Sequence, residues 1–206
     1  MDLLLIILIV IVKSLLAVFL FHRFIFLRDP KRLIPKGKVI VSPADGKIIA
    51  IKEINNSVEK IRKGNLGKIF TLTKDVVKEG YLISIFMSPL NVHINRAPVS
   101  GIVEKINYEK GKFLPVNSLE SGLVNEKNEV IINNRELGKI KVIQIAGFLA
   151  RRIECFVKEK QQLNKGERFG LINLGSQVTL IIPKQVKLEV EVGKKVYGGE
   201  TIIARY

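Results

Sequence analysis

This chain of 206 residues has no tryptophan, one cysteine, two histidines and two methionines. With Cys155 alone, no disulfide closes within the chain and no cysteine cluster holds a metal. Cys155 follows Arg151-Arg-Ile-Glu in an apolar alternation and is expected to be a buried structural thiol. The histidines, His22 and His93, are too few for an imidazole-based metal centre, so no metal is expected. Acidic residues are also scarce: 19 against 34 Lys and Arg, a formal net charge of +15. No Walker or dinucleotide-binding glycine pattern is present, which argues against a nucleotide site. Long helical periodicity is missing outside the N-terminus, which excludes a helical bundle.

What the sequence does have begins at residue 3. Residues 3–21 read LLLIILIVIVKSLLAVFLF, about the ~20 residues that a bilayer-spanning helix needs. Lys13 in the middle is costly for a lone span. A basic n-region and a small-residue cleavage site are both missing, so a signal peptide fits poorly. A single imperfect span and an interfacial anchor that lets Lys13 snorkel both hold the chain at a membrane. His22 falls at the membrane-proximal end. Arg23, Arg28, Lys31, Arg32, Lys36 and Lys38 follow, and by the positive-inside rule the remaining domain is cytoplasmic. Basic residues beside an anionic leaflet contribute about 1 kcal/mol each. The charge therefore points to anionic phospholipid as partner. No zinc-finger spacing or RNA-binding aromatic signature supports nucleic acid.

After the break at Arg28-Asp-Pro-Lys-Arg, about 170 residues remain, enough for one cored domain. Residues 1–30 read as the anchor and 31–206 as the domain. Short Val- and Ile-rich runs are separated by Gly, Pro, Asn and Lys-Gly turns. Strands are predicted at Lys38–Ser42, Gly46–Ile54, Tyr81–Met87, Gly101–Tyr108, Glu129–Ile132, Lys139–Ala146, Arg152–Val157, Gln177–Ile182, Val186–Val190 and Thr201–Arg205. The stretch Glu53–Lys78 reads as loop or hairpin, and 111–128 as a long loop of the kind that is often functional. The fold class is mainly β: a barrel-sandwich-like domain with an N-terminal hydrophobic anchor helix. The run from Ser42-Pro-Ala-Asp-Gly and the closing run Glu191-Val-Gly-Lys-Lys-Val-Tyr-Gly-Gly-Glu look like partners. They resemble the turns of biotinyl/lipoyl-type barrel sandwiches. The methionine-flanked lysine of those carriers is missing.

The candidate chemistry rests on few residues. His93 is the only imidazole of the body, in Met87-Ser-Pro-Leu-Asn-Val-His-Ile-Asn-Arg-Ala-Pro98. The two prolines forbid a regular helix there. A histidine in so polar a run is either structural or a general base near neutral pH. Asp45 precedes Gly46 and reads either as a hairpin turn or as an acid that orients a histidine. Gly175-Ser176 reads as a turn dipeptide or as a scission site, where the serine hydroxyl attacks the carbonyl of an unhindered glycine. A serine hydrolase built on the same three residues lacks the Gly-x-Ser-x-Gly elbow.

Taken together and in order, these motifs resemble the phosphatidylserine decarboxylases in their short form, which includes the archaetidylserine decarboxylases. The resemblance runs through Phe26-Leu-Arg-Asp-Pro30, Ser42-Pro-Ala-Asp-Gly46, Met87 to Gly101, Gln144-Ile-Ala-Gly-Phe-Leu-Ala-Arg-Arg-Ile153, Gly166-Glu-Arg-Phe-Gly170 and Leu174-Gly-Ser176. It implies a proenzyme that cuts itself between Gly175 and Ser176 into a β chain, 1–175, and an α chain, 176–206, which stay associated. Ser176 becomes a covalent pyruvoyl group, the Schiff-base former and electron sink for decarboxylation. By the same resemblance His93 is the base and Asp45 its partner. Longer relatives often carry a second histidine where this chain has Arg96. The guanidinium of Arg96 suits a substrate carboxylate or phosphate. Longer relatives often have Thr after the serine, where this chain has Gln177. The contrasting expectation is a non-catalytic, membrane-anchored barrel-sandwich module. A homo-oligomer through an exposed strand edge is compatible with either.

Overall fold

The computed structural model describes residues 3–55, 58–62, 68–73, 75–110, 126–146, 152–173 and 176–206. Helix α1 (Leu3–Leu20) has a mean hydropathy of 3.2 and none of it is buried by protein. It is long and apolar enough to cross a membrane. It runs on into a π-helical segment, Phe21–Phe26.

The body is built of strands. They are β1 (Val39–Val41), β2 (Gly46–Asn55), β3 (Val58–Arg62), β4 (Lys68–Leu72), β5 (Glu79–Met87), β6 (Ile94–Arg96), β7 (Gly101–Glu109) and β8 (Lys127–Asn134). There follow β9 (Gly138–Ile145), β10 (Ile153–Cys155), β11 (Gln162–Leu163), β12 (Arg168–Ile172), β13 (Ser176–Pro183), β14 (Lys187–Leu188), β15 (Lys195–Val196) and β16 (Ile202–Arg205). Eight of them form a curled antiparallel sheet, ordered β11-β7-β8-β9-β13-β5-β2-β15. Two three-stranded sheets, β10-β12-β6 and β1-β16-β14, and the β3-β4 hairpin complete the described strands.

One core holds these sheets together. Ile85, Val130, Val142, Val178 and Leu180 of the large sheet meet Ile40 of β1, Ile203 of β16 and Phe169 and Ile172 of β12 in one buried cluster. Each such side chain contributes about 1.5–3 kcal/mol on burial. The opposite face of the sheet is also covered at its centre, where Ile143, Ile145 and Ile181 pack with Ile54, Val77 and Leu82. Burial on both faces explains why Val178–Ile182 is nearly continuous in apolar residues rather than alternating. Lys141, fully buried on this second face, is held by Asp75 at 2.7 Å and Glu129 at 3.3 Å.

Each of the ten expected strands has a counterpart. The two ends of the body meet as their turn chemistry suggested: β15 pairs with β2 and β16 with β1. Some expectations need correction. Asp45-Gly46 is not a hairpin turn. Gly46 opens β2, and a Cβ there would lie 2.2 Å from the Phe86 carbonyl oxygen. Close approach of backbones therefore requires this glycine. Cys155 is exposed, because β10 ends there and the burial alternation does not continue past it. Lys127 and Asn128, expected in a loop, are the start of β8. The rest of that loop, residues 111–125, lies outside the described residues, as do Gly175 and the His22 side chain. Not all the basic residues after the anchor face a leaflet: Arg32 is 7% exposed and doubly ion-paired.

Candidate active site around His93 and Ser176

Of the strands not expected from the sequence, β6, β11, β12 and β15 among them, β6 and β12 position the site. Pro89 and Pro98 bracket a segment too short and too irregular to read as a strand. Even so, Ile94, Asn95 and Arg96 pair with Leu171, Gly170 and Arg168. The Ile172 N–H reaches the His93 carbonyl at 3.3 Å. His93 thus sits at the end of β12, and the chain returns as β13 three residues after Asn173. Ser176, the first residue of β13, stands opposite Met87 of β5. From Gln177 to Ile181, β13 is paired on both sides, with β5 and β9.

The His93 imidazole is fully buried, and neither ring nitrogen has a hydrogen-bond partner among the described residues. Phe26, itself fully buried, covers the ring at a centroid distance of 4.0 Å. Burial outweighs a weak approach to the Asn91 backbone, which falls short of hydrogen-bond geometry, and with the nearby Arg28 charge pushes the imidazole down to about 4. Its neutral form, the one able to accept a proton, therefore dominates at neutral pH. Buried polar atoms without partners are rare, and a catalytic role is one of the reasons a protein keeps them.

Asp45 is placed differently from the expected histidine partner. Its carboxylate takes both oxygens to Arg32 at 2.9 Å and accepts the Gly198 N–H at 2.7 Å. No hydrogen bond joins it to His93. Arg32 also reaches Glu200 at 3.2 Å, and Glu200 accepts the Leu33 N–H at 3.0 Å. The guanidinium of Arg96 is likewise occupied. It binds the Gly166 carbonyl at 2.9 Å and pairs with Asp29, which also pairs with Arg168. Arg96 therefore ties the anchor's exit to the body. The structure brings His93 and Ser176 to neighbouring strand ends and engages Asp45 and Arg96 in two other ion-pair networks, Asp45 with Arg32 and Glu200, Arg96 with Asp29 and Arg168. Sequence reading missed Phe26 and Arg32 as parts of this region. Phe26 opens one of the motifs quoted above, but nothing in its spacing says that it covers a histidine.

A family model described as phosphatidylserine decarboxylase matches residues 20–204. The chain belongs to this family. A phosphatidylserine decarboxylase proenzyme of Pelodictyon phaeoclathratiforme is 42% identical over 182 residues, 88% of this chain and 77% of that protein. One from a Wolbachia of Brugia malayi is 43% identical over 180 residues, 87% of this chain and 73% of that protein. A Methanocaldococcus jannaschii protein, provisionally named an archaetidylserine decarboxylase proenzyme, is 42% identical over 180 residues, 87% of each chain. Among solved structures, glucose permease IIA from Mycoplasma capricolum aligns with a TM-score of 0.39 and 18% identity, over 82% of this chain and 96% of that one. That likeness is too slight to carry an argument. Membership of the phosphatidylserine decarboxylase family makes the chain a carboxy-lyase of proenzyme type and disfavours the non-catalytic module.

Proposed function

We propose that this chain cuts itself between Gly175 and Ser176 and then decarboxylates a serine phospholipid, either phosphatidylserine or its ether-linked archaeal counterpart. The products are the ethanolamine phospholipid and CO2. One observation carries this reading: a buried imidazole without a hydrogen-bond partner among the described residues, at the strand end that leads towards Ser176. His93 is the base that takes the Ser176 hydroxyl proton as the oxygen adds to the preceding carbonyl. The C–N bond then breaks, the amine takes a proton, and an ester links the two halves. Loss of the Ser176 α-proton expels the carboxylate of residue 175 and leaves a dehydroalanine, whose imine tautomer takes up water and releases ammonia, so that the α chain begins with a pyruvoyl group.

The structure suits such a group. Its carrier residue opens a strand that is paired on both sides from the next residue on, so the reactive end has a fixed place. When present, the pyruvoyl carbonyl supplies an electron sink for the carbanion left by CO2. His93 is the group on hand to return the proton to that carbon. Asp45 and Arg32 position the Gly198 turn of the α chain against the β chain. Arg96 and Asp29 hold the linker that places Phe26 over His93. The helix α1 keeps the site at the membrane, with the body on the cytoplasmic side and the basic surface drawing anionic lipid.

Intact mass under denaturing conditions tests the reading. Two fragments divided at Ser176, the smaller with a carbonyl-bearing, amine-free end, are expected from the native chain, and one uncut chain from Ser176→Ala. Decarboxylation of phosphatidylserine by an uncut native chain would refute it. A Ser176 labelled by a serine-directed phosphonate in an uncut chain would point instead to a hydrolase.

A further inference from the structure

The large sheet has two unlike ends. At one of them β2 and β13 begin and β5 stops, and a row of ladder partners runs Gln177, Phe86, Lys47, Lys195. Lys47 and Lys195 are directly opposed and both exposed. Like charges so placed destabilise a strand pair, and among the described residues no carboxylate pairs with either. The Lys195 ammonium lies over the ring of Tyr197, 5.4 Å from its centre. Phe86, next in the row, is 47% exposed although strands flank it on both sides.

Two loops extend this end. β5 runs on through Ser88 and Pro89 to Leu90, which is 66% exposed. The turn there is closed by Asn91, whose Oδ1 accepts the Ser88 N–H and the Ser88 hydroxyl at 2.8 Å each. Leu33, 87% exposed, is fixed by its N–H to Glu200 at 3.0 Å and by the pairing of Arg32 with Asp45, the residue before β2. Scattered apolar side chains on a surface are ordinary. Leu33, Phe86 and Leu90 differ in sharing one end of the body, and hydrogen bonds hold them there. The anchor leaves from the same end. Arg28, just past the π-helical segment, donates to the Leu90 carbonyl. Phe26 caps His93, three residues beyond Leu90. None of α1 is covered by protein, so Leu90 adjoins the exit of a bare apolar helix. Apolar tips, lysines and a tyrosine in one band suit a surface that lies in a headgroup layer. Anions between Lys47 and Lys195 would also relieve their repulsion.

We propose that this end of the body is a second membrane-contact surface, made for an anionic leaflet. Leu33, Phe86 and Leu90 enter the leaflet that holds α1, and Lys47 and Lys195 meet its headgroups. The body therefore stands with the segment that carries His93 toward the lipid. This rests on the reading of α1 as a membrane anchor.

The test uses the full chain with Cys155→Ser in nanodiscs of phosphatidylglycerol and phosphatidylcholine. Leu90→Cys, Phe86→Cys, Ile102→Cys and Val18→Cys each carry one fluorophore, and lipids with a nitroxide on the acyl chain report contact by quenching. Ile102 lies at the other end of the sheet, opposite Asn133, and Val18 lies in α1. Arg28 binds the Leu90 carbonyl, so that bond survives a change of side chain. Leu90→Cys and Phe86→Cys should lose most of their emission, as Val18→Cys does, and Ile102→Cys should keep it. Each lysine beside an anionic leaflet contributes about fivefold to contact. The quenched fraction at Leu90→Cys should therefore rise with phosphatidylglycerol content. Adding Lys47→Gln and Lys195→Gln should lower its quenched-to-unquenched ratio by up to about 30-fold. Unquenched Leu90→Cys and Phe86→Cys beside a quenched Val18→Cys would overturn the proposal, and so would equal quenching at Ile102→Cys. Quenching indifferent to phosphatidylglycerol would overturn the anionic preference. Should one rim variant fail to fold, the other decides. An unquenched Val18→Cys refutes the anchor reading instead.

Discussion

The cover that Phe26 places over His93 makes a measurable prediction. An exposed histidine titrates near 6.5, whereas burial holds His93 down to about 4. The difference between the two states corresponds to about 3 kcal/mol. Its sign follows from the unfolded chain, where His93 binds a proton below pH 6.5 while the folded protein refuses it. Above pH 6.5 the residue is neutral in both states and contributes nothing to pH dependence. As pH falls from 6.5 to 4, stability drops by about 3 kcal/mol, and below pH 4 the loss levels off. Phe26→Ala removes the ring that lies 4.0 Å from the imidazole and admits water, so the midpoint should rise well toward 6.5. The chain contains only two histidines. Imidazole resonances of histidine-labelled protein in detergent therefore give two titration curves, assigned by loss of one in His93→Gln. A Ser176→Ala background keeps the chain uncut throughout. A Phe26→Ala midpoint that stays near 4 would show that the ring is not what dries the imidazole. An unsubstituted midpoint near 6.5 would refute the burial argument itself.

Two further predictions concern the frame. Gly46→Ala forces a methyl into the Phe86 carbonyl and should destabilise by about 1–3 kcal/mol, read as a lowered urea midpoint of the Ser176→Ala chain. Lys141→Ala takes a fully buried cation from the buried Glu129 and the exposed Asp75 and should cost about 3 kcal/mol, the low end for breaking a buried pair. In the same assay Lys141→Met, which fills the space but leaves Glu129 without its cation, should recover only the cavity part of that loss, and a Lys141→Met chain as stable as the parent would refute the charge argument.

Strand positions were legible wherever burial writes itself into composition, as in Val178–Ile182 or Ile140–Ile145, where apolar runs are bounded by turn residues. The anchor was legible for the same reason. β6 and β12 were not, because a three-residue strand between prolines and a strand interrupted by Gly170 carry no periodic signal. They form because partners far along the chain supply the hydrogen bonds. Ser176 and His93 were legible as residue types, and family motifs named them. Their approach to each other came only with the pairing of β6 to β12. Asp45 shows the limit most clearly. Its spacing from His93 says nothing about Arg32, and a guanidinium within 2.9 Å is a stronger electrostatic partner than a neutral imidazole.

The cut proposed between residues 175 and 176 would be ruinous in most sheets, and the register here would make it tolerable. On the upstream side, β12 stays pinned by its pairing with β6 and β10. The Asn173 N–H is held by the Arg152 carbonyl at 3.0 Å. On the downstream side, β13 is laced between β5 and β9, while β16 pairs with β1 and β15 with β2. Gly198 is bound by Asp45 across the two products. The only covalent link lost is the connection between β12 and β13, and freeing such a short loop costs little order in a chain anchored on both sides. If the chain is cut as proposed, its new end would stay opposite Met87, the ladder partner of Ser176. On the proposed reading, a cofactor made from Ser176 would need no binding pocket of its own, because the sheet already holds that residue.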